Sequence, residues 1–212
     1  MVRTMGNVHD FTRDPLCQSP VEWVKGDLNS LPDCERFIAP LSVLVHLAHT
    51  QTSFHHSRGL SANHVSNLVP TLNLLEAVKR IQNKLHFVYS SSGGQVYGAS
   101  STRIPFSETD GCQPLTSYGI QKRCVEHYLR LWTEADEIRS TVLRIANPYG
   151  NLLPSAREQG FIGVALRLIQ EGRPVPIIGN IETVRDYLHL DDFFQQTPRY
   201  KTIIYVCSLK LP

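Results

Sequence analysis

Tyr118 and Lys122 stand four residues apart in the segment Ser117-Tyr118-Gly119-Ile120-Gln121-Lys122, inside a stretch whose apolar spacing predicts a helix. On a helix that spacing puts the phenol and the ammonium on one face. A free phenol ionises near pH ~10 and is a poor base at neutral pH. A neighbouring ammonium favours the phenolate, and the positive ring of an oxidised nicotinamide pushes the same way. The chemistry on offer is general acid/base transfer of an alcohol proton while a hydride leaves the carbon. Upstream, Ser90-Ser91-Ser92-Gly93-Gly94-Gln95-Val96-Tyr97-Gly98 closes a predicted strand. A hydroxyl there, Ser92 first and Ser91 as the alternative, would donate to a substrate oxygen beside the tyrosine. The histidines His46, His49, His55, His56 and His64 are dense, but no paired carboxylate or cysteine accompanies them. No metal is expected, and they read as solvated or hydrogen-bonded imidazoles.

These residues need elements to hold them. Ser42 to Leu47 is short and β-branched and predicts a buried strand. Val65 to Asn83 predicts a helix, with Leu68, Leu72, Leu75, Val78 and Ile81 three or four apart. Leu85 to Ser90 is the next strand and runs into the Ser/Gly turn. Ser117 to Ala135 predicts the helix of the Tyr/Lys pair, with Ile120, Cys124, Tyr128 and Leu131 along one face. Ser140 to Ala146 predicts a strand. Phe161 to Gln170 predicts a helix stopped by Gly172 and Pro174, and Val175 to Ile178 a short strand. Strands alternating with helices predict an α/β fold with a parallel sheet covered on both faces. Gly98 to Pro114 is polar and punctuated by Pro and Gly, and reads as a loop of the kind that binds ligands at the carboxyl ends of parallel strands.

Composition narrows the function classes. A length of 212 residues suits one domain, or one with a small appendage. A net charge of +2 gives no electrostatic case for nucleic acid or an acidic membrane as the main partner. An apolar fraction of 42% is enough to build a core. No apolar run reaches the ~18 residues of a spanning helix, and the first residues hold no apolar signal segment. Cys17, Cys34, Cys112, Cys124 and Cys207 are odd in number and never spaced C-x-x-C, so free thiols are expected rather than a disulfide framework. A cytoplasmic protein is expected on that cysteine usage.

From Gly26 to Asp192, the ordered motifs resemble the extended short-chain dehydrogenase/reductase family. The nearest branch is the NAD-dependent epimerase/dehydratase group, which acts on nucleotide sugars and includes UDP-glucose 4-epimerase. Gly26-Asp27-Leu28 resembles the turn whose aspartate contacts adenine. His46-Leu47-Ala48-His49 resembles the strand end lying against the cofactor. Asn67, Thr71 and Asn73-Leu74-Leu75-Glu76-Ala77 resemble the helix with a structural asparagine. The Ser90–Gly98 segment and Ser117-Tyr118-Gly119-x-x-Lys122 resemble the serine motif and the catalytic helix. Arg144-Ile145-Ala146-Asn147-Pro148-Tyr149-Gly150 and Val184-Arg185-Asp186-Tyr187 resemble the segments whose asparagine and arginine hold the sugar nucleotide. An arginine suits a diphosphate because its planar fork binds phosphate oxygens bidentately. The resemblance implies NAD as cofactor and a nucleotide sugar as substrate. It implies Tyr118, Lys122 and Ser92 as catalytic residues. Asp27, Leu28, Leu47 and Ala48 would join Tyr118 and Lys122 at the cofactor, and Asn147 and Arg185 would join Ser92 at the substrate. It also implies a homodimer through the Tyr118 helix.

The chain departs from that pattern in ways that shape the expectation. It contains no G-x-x-G-x-x-G turn, the device that sets backbone N–H groups and a helix N-terminus on the pyrophosphate. Phe11-Thr12-Arg13-Asp14 looks like the end of the family's second strand, which leaves no room for the first βα unit. Arg13 falls where NAD-preferring members carry an acid, which points toward NADP. Counting back from Val96-Tyr97-Gly98, the usual hydroxyl position falls on Gly93, one residue after Ser92. Gly94 and Gln95 stand where dehydratases carry acidic residues, which disfavours dehydration. The resemblance stops after Asp192, although Thr202 to Cys207 has strand composition. The expected architecture is an incomplete doubly wound, Rossmann-like sheet over residues 1–158, followed by a shortened substrate lobe over 159–212. The functions it admits are a nucleotide-sugar epimerase, a catalytically inactive relative serving as an interaction module, and an NAD(P)-dependent carbonyl reductase.

Overall fold

A computed structural model describes residues 24–49, 64–81, 85–98, 105–135, 137–150, 160–177, 179–196 and 204–206. Phe11 to Asp14, Cys17, His55, His56 and Cys207 lie outside those residues.

Strand β1 (Val43–His46) is buried along its whole length. Strand β2 (His86–Ser92) pairs with it in parallel, Val43 opposite His86 and His46 opposite Tyr89. Strand β3 (Arg139–Ile145) pairs in parallel with β2, from His86 opposite Arg139 to Ser92 opposite Ile145. On its other edge β1 pairs in parallel with a strand near the C-terminus, Ile204–Val206. A second, two-stranded sheet joins β4 (Asn147–Tyr149) to β5 (Tyr187–His189), and β6 is the Ile204–Val206 strand. The main sheet therefore runs β3-β2-β1-β6. The fold is α/β with parallel, Rossmann-like sheets.

Helices connect and cover the strands. Helix α1 (Leu31–Ile38) starts at Ser30, whose hydroxyl accepts from the Asp33 N–H, with Pro32 in its first turn. Helix α2 (Val69–Arg80) continues from a π-helical turn over His64–Leu68, where a uniform helix is predicted. Helix α3 (Ser117–Glu134) carries Tyr118 and Lys122. Helix α4 (Phe161–Gln170) has the predicted bounds, and α5 (Leu190–Gln196) follows β5 directly. Residues 173–177 form no strand, so the strand expected from Val175 is not made; Val175 is flanked by Pro174 and Pro176, which have no N–H to give a ladder. None of the described helices is long and apolar enough to cross a membrane.

The larger core joins α1, α2 and α3 to the face of β1 and β2 that carries Leu44, Phe87 and Tyr89, with Ile38, Leu74, Leu75, Val78, Val125 and Leu129 between them. The alternate positions Val43, Val45 and Val88, with Leu143, cluster on the opposite face, as strand alternation requires. The face of α3 expected to be apolar points outward: Ile120, Tyr128 and Leu131 are exposed. The inward face is instead Gly119, Gln121, Lys122, Val125, Glu126 and Leu129. Periodicity mistook the face because three of those six inward residues are polar or charged. That choice of residues serves the site.

Candidate active site

Lys122 projects from α3 toward the carboxyl end of β2 and is only 2% exposed. Its Nζ donates to the Ser90 carbonyl oxygen at 2.6 Å and lies 4.9 Å from the Tyr89 ring centre and 5.5 Å from that of Tyr118. Burial lowers the ammonium pKa to about 8. Tyr118 is half-buried, and that desolvation raises its phenol pKa, against the opposing pull of a hydrogen bond with the Ser92 hydroxyl. This differs from the expectation that Lys122 draws the phenol down. With its ammonium spent on the Ser90 carbonyl, desolvation decides, and the resting phenol keeps its proton.

Two imidazoles close the cluster. The His49 ring stands edge-on to Tyr118, centres 4.7 Å apart and planes at 86°. The His46 ring stacks on Tyr89 at 5.9 Å. Burial, then the charge of Lys122, lowers the pKa of His46 to about 3; burial, Lys122 and His46 lower that of His49 to about 2. Both are neutral at physiological pH. The Thr71 hydroxyl donates to the Asn67 carbonyl at 2.9 Å, so it accepts from His46 Nε2 at 2.8 Å. The tautomer assigned by that network leaves His46 Nδ1 an acceptor, buried and without a partner among the described residues. Asn67 and Thr71 thus orient the end of β1 from the π-helical turn and α2.

The two serines separate. Ser91 is buried and donates to Glu126 Oε1 at 2.5 Å, while Ser92 reaches Tyr118. The start of α3 is fastened to the turn after β2 by residues the motif reading passed over. The Thr116 hydroxyl accepts from the Gly119 N–H at 3.1 Å and donates to Gln95 Oε1 at 3.0 Å. A Cβ on Gly119 would lie 2.3 Å from the Gln95 carbonyl oxygen, so only glycine allows this approach. Thr116 has the sequence signature of a helix N-cap, the one signal that pointed here.

The remaining predicted residues sit around this centre or apart from it. The Asp27 carboxylate accepts from the backbone and side-chain nitrogens of Asn29, both at 2.9 Å, closing a tight turn before α1. Leu28 is buried and its carbonyl accepts from Asn73 Nδ2 at 3.0 Å. Leu47 is exposed and Ala48 buried just past β1. The β4–β5 register brings Asn147 beside Asp186: backbone and side-chain nitrogens of Asn147 donate to the Asp186 carbonyl at 3.1 and 2.8 Å. Arg185 is exposed, and its NH1 donates to the Val184 carbonyl.

A Tyr/Lys pair on one helix, a hydroxyl at the end of the preceding strand and a parallel sheet match a known group over most of the chain: residues 4–196 fit the NAD dependent epimerase/dehydratase family. The chain belongs to that family. It is 41% identical over 123 residues to dTDP-4-dehydro-6-deoxyglucose reductase of Escherichia coli, covering 58% of this chain and 36% of that protein. It is 33% identical over 129 residues to dTDP-glucose 4,6-dehydratase of Mycolicibacterium smegmatis, covering 60% and 37%. Among solved structures, UDP-glucose 4-epimerase of Thermotoga maritima, crystallised with UDP-glucose, superposes with a TM-score of 0.74 at 26% identity, over 86% of this chain and 61% of that one. The chain thus spans between about a third and a half of the length of the curated relatives it matches.

The described residues fit one end of a dinucleotide. Among them, a buried ammonium, a phenol and an imidazole nitrogen without a hydrogen-bond partner suit the hydroxyl-rich nicotinamide end. For the pyrophosphate they supply no glycine turn.

Proposed function

We propose that this chain carries the proton-handling half of an NAD-dependent redox site for nucleotide sugars, working in the epimerase mode. One observation carries the reading: buried Lys122 and half-buried Tyr118 sit together on α3, with the Ser92 hydroxyl on the phenol. Lys122 would hold the nicotinamide ribose, and Leu47 and Ala48 would line the same end. Bound NAD supplies two-electron chemistry at the sugar carbon. The protein's own part is the proton. The Tyr118 phenol gives it to the carbonyl oxygen as an alcohol forms and takes it back when the alcohol is oxidised. Ser92 keeps that oxygen in line. Neutral His46 and His49 wall the phenol from water without adding charge. Asn147 and Arg185, on the adjoining two-stranded sheet, would hold the sugar and its diphosphate, and dimerisation would use the outward apolar face of α3.

A phenol whose resting form is protonated favours delivery of a proton to a ketone. Together with the 41% identity to a ketosugar reductase, that supports a second reading, net reduction. The two are told apart by cofactor balance. Mixed with NAD and a UDP- or dTDP-hexose, an epimerase interconverts epimers with no net change in NADH absorbance. A reductase consumes one NAD(P)H per ketosugar. In either case Tyr118→Phe is expected to lower turnover about 10²-fold or more. Failure to bind NAD(P) saturably at millimolar concentration would overturn both readings and leave a non-catalytic interaction module.

A further inference from the structure

The geometry points to Glu126 as a positioning residue for the proposed site: its buried carboxylate ties Ser91, and through it the Ser92 hydroxyl, to the helix that bears Tyr118 and Lys122. This rests on the reading above and extends it to a residue that touches neither substrate nor cofactor.

Glu126 lies one turn beyond Lys122 on the inward face of α3, with its side chain 4% exposed. One oxygen accepts from Ser91 Oγ and from Arg144 Nε at 3.2 Å. The other accepts from Arg123 NH1 at 2.7 Å and Arg144 NH2 at 2.8 Å. Burial alone would raise this carboxyl's pKa, but the hydrogen bonds from Arg144, Ser91 and Arg123 hold it below the usual carboxylate range. Arg144, on β3, carries the linkage outward. Its NH1 donates to the Tyr97 hydroxyl at 2.9 Å and to the Glu108 carbonyl at 3.0 Å. One carboxylate therefore fastens together the end of β2, the middle of α3 and β3, and through Arg144 it reaches Tyr97 and the segment that carries Glu108.

The argument for positioning is geometric. Ser91 and Ser92 are consecutive at the end of β2, so the backbone that carries the Ser92 hydroxyl to Tyr118 is held where Ser91 is held. Ser91 is fixed by a short bond to a carboxylate that two guanidinium groups immobilise in turn. Lys122 and Tyr118 are fixed by the same helix. Without the Ser91 bond, the contacts among the described residues that hold the end of β2 to α3 include the Lys122–Ser90 bond, the Gln95–Thr116 clasp and the Ser92–Tyr118 bond whose geometry is at issue. A buried ion pair is poor evidence of a purely stabilising role, since apolar residues of similar volume often serve stability as well.

The test uses the whole chain with ζ-13C-labelled tyrosine. The Tyr118 resonance is assigned by its loss in Tyr118→Phe, and Ser92→Ala defines the displacement expected when the phenol loses its hydroxyl partner. Ser91→Ala is expected to move the same resonance in the same direction by about half that amount or more. It should lower kcat about tenfold with KM little changed, and Ser91→Thr, which restores a hydroxyl, should recover both. Glu126→Gln should act as Ser91→Ala does; if it does not fold, Ser91→Ala carries the test. A loss of thermal stability in Ser91→Ala with the Tyr118 resonance unmoved would overturn the proposal and make Glu126 a structural ion pair. Wild-type protein without turnover would count against the redox site, while the resonance would still decide the positioning role.

Discussion

At the scale of single residues, the spacing Tyr-x-x-x-Lys was enough to place both side chains on one helix face, but the balance of forces on them was not readable from spacing. Lys122 shows why. Its neighbours suggested an ion that acidifies a phenol, yet its surroundings are two aromatic rings and a carbonyl, so desolvation rules. Its ammonium stands at about 8 in the fold against 10.5 when free. Between those values the unfolded chain keeps a proton that the folded chain has released. Stability therefore rises with pH from about 8 to 10.5, and below 8 the fold carries the whole penalty, roughly 3 kcal/mol at about 1.4 kcal/mol per unit. Lys122→Met is expected to be more stable than wild type at pH 7, with the gap closing by pH 10.5, as measured by denaturant midpoints across the series. A gap independent of pH would mean that the ammonium is not desolvated. His46 acts at the other end of the scale. Its folded pKa of about 3 lies below the free value of 6.5, so stability is lost as pH falls from 6.5 toward 3. His46→Gln should flatten that slope.

At the scale of elements, the strands and helices that alternate in hydrophobicity were legible, and those defined by contacts were not. The bounds of α4 and the cores of β1, β2 and β3 follow from short β-branched runs and helical spacing. Periodicity does not find the inward face of α3 because three of its six residues, Gln121, Lys122 and Glu126, are polar or charged. The β4 and β5 strands were invisible because each has three residues and no alternation to detect. The π-helical turn at His64–Leu68 likewise has no propensity signature, although such turns concentrate at functional sites. Gly119 joins these lessons to an outcome. A methyl there meets the Gln95 carbonyl at 2.3 Å and Pro114 Cβ at 2.9 Å, and both are held by their own chain. Gly119→Ala should lift the first turn of α3 from the turn after β2, at a cost of about 1–3 kcal/mol by overpacking. Tyr118 rides on that turn, so its resonance should shift with the melting temperature. Gly111→Ala, which meets nothing within 4 Å, is the control and should leave both in place.

At the scale of the whole molecule, what matters is which strand lies beside β1. On the edge away from β2, the described neighbour of β1 is β6, in parallel register with Leu44 opposite Ile204 and His46 opposite Val206. The same strand leads to His46, whose ring stacks on Tyr89, and to His49, whose ring stands edge-on to Tyr118. A strand on that edge satisfies backbone groups that would otherwise form an open edge, and it sets how firmly the histidines are held. Tyr205→Pro removes one N–H from the middle of β6 and clashes with a parallel ladder. Amide exchange at Leu44, Val45 and His46 is expected to accelerate in that variant, while exchange at Phe87 and Val88, paired on both sides by β1 and β3, stays slow. Unchanged protection along β1 would mean that β6 contributes nothing to the edge. Protection lost from β1 through β2 together would mean that the parallel sheet depends on its outermost strand for cooperativity. Because His49 follows β1 closely and its ring stands edge-on to Tyr118, faster exchange along β1 is also expected to loosen His49 from Tyr118, which the Tyr118 resonance in the same variant would register.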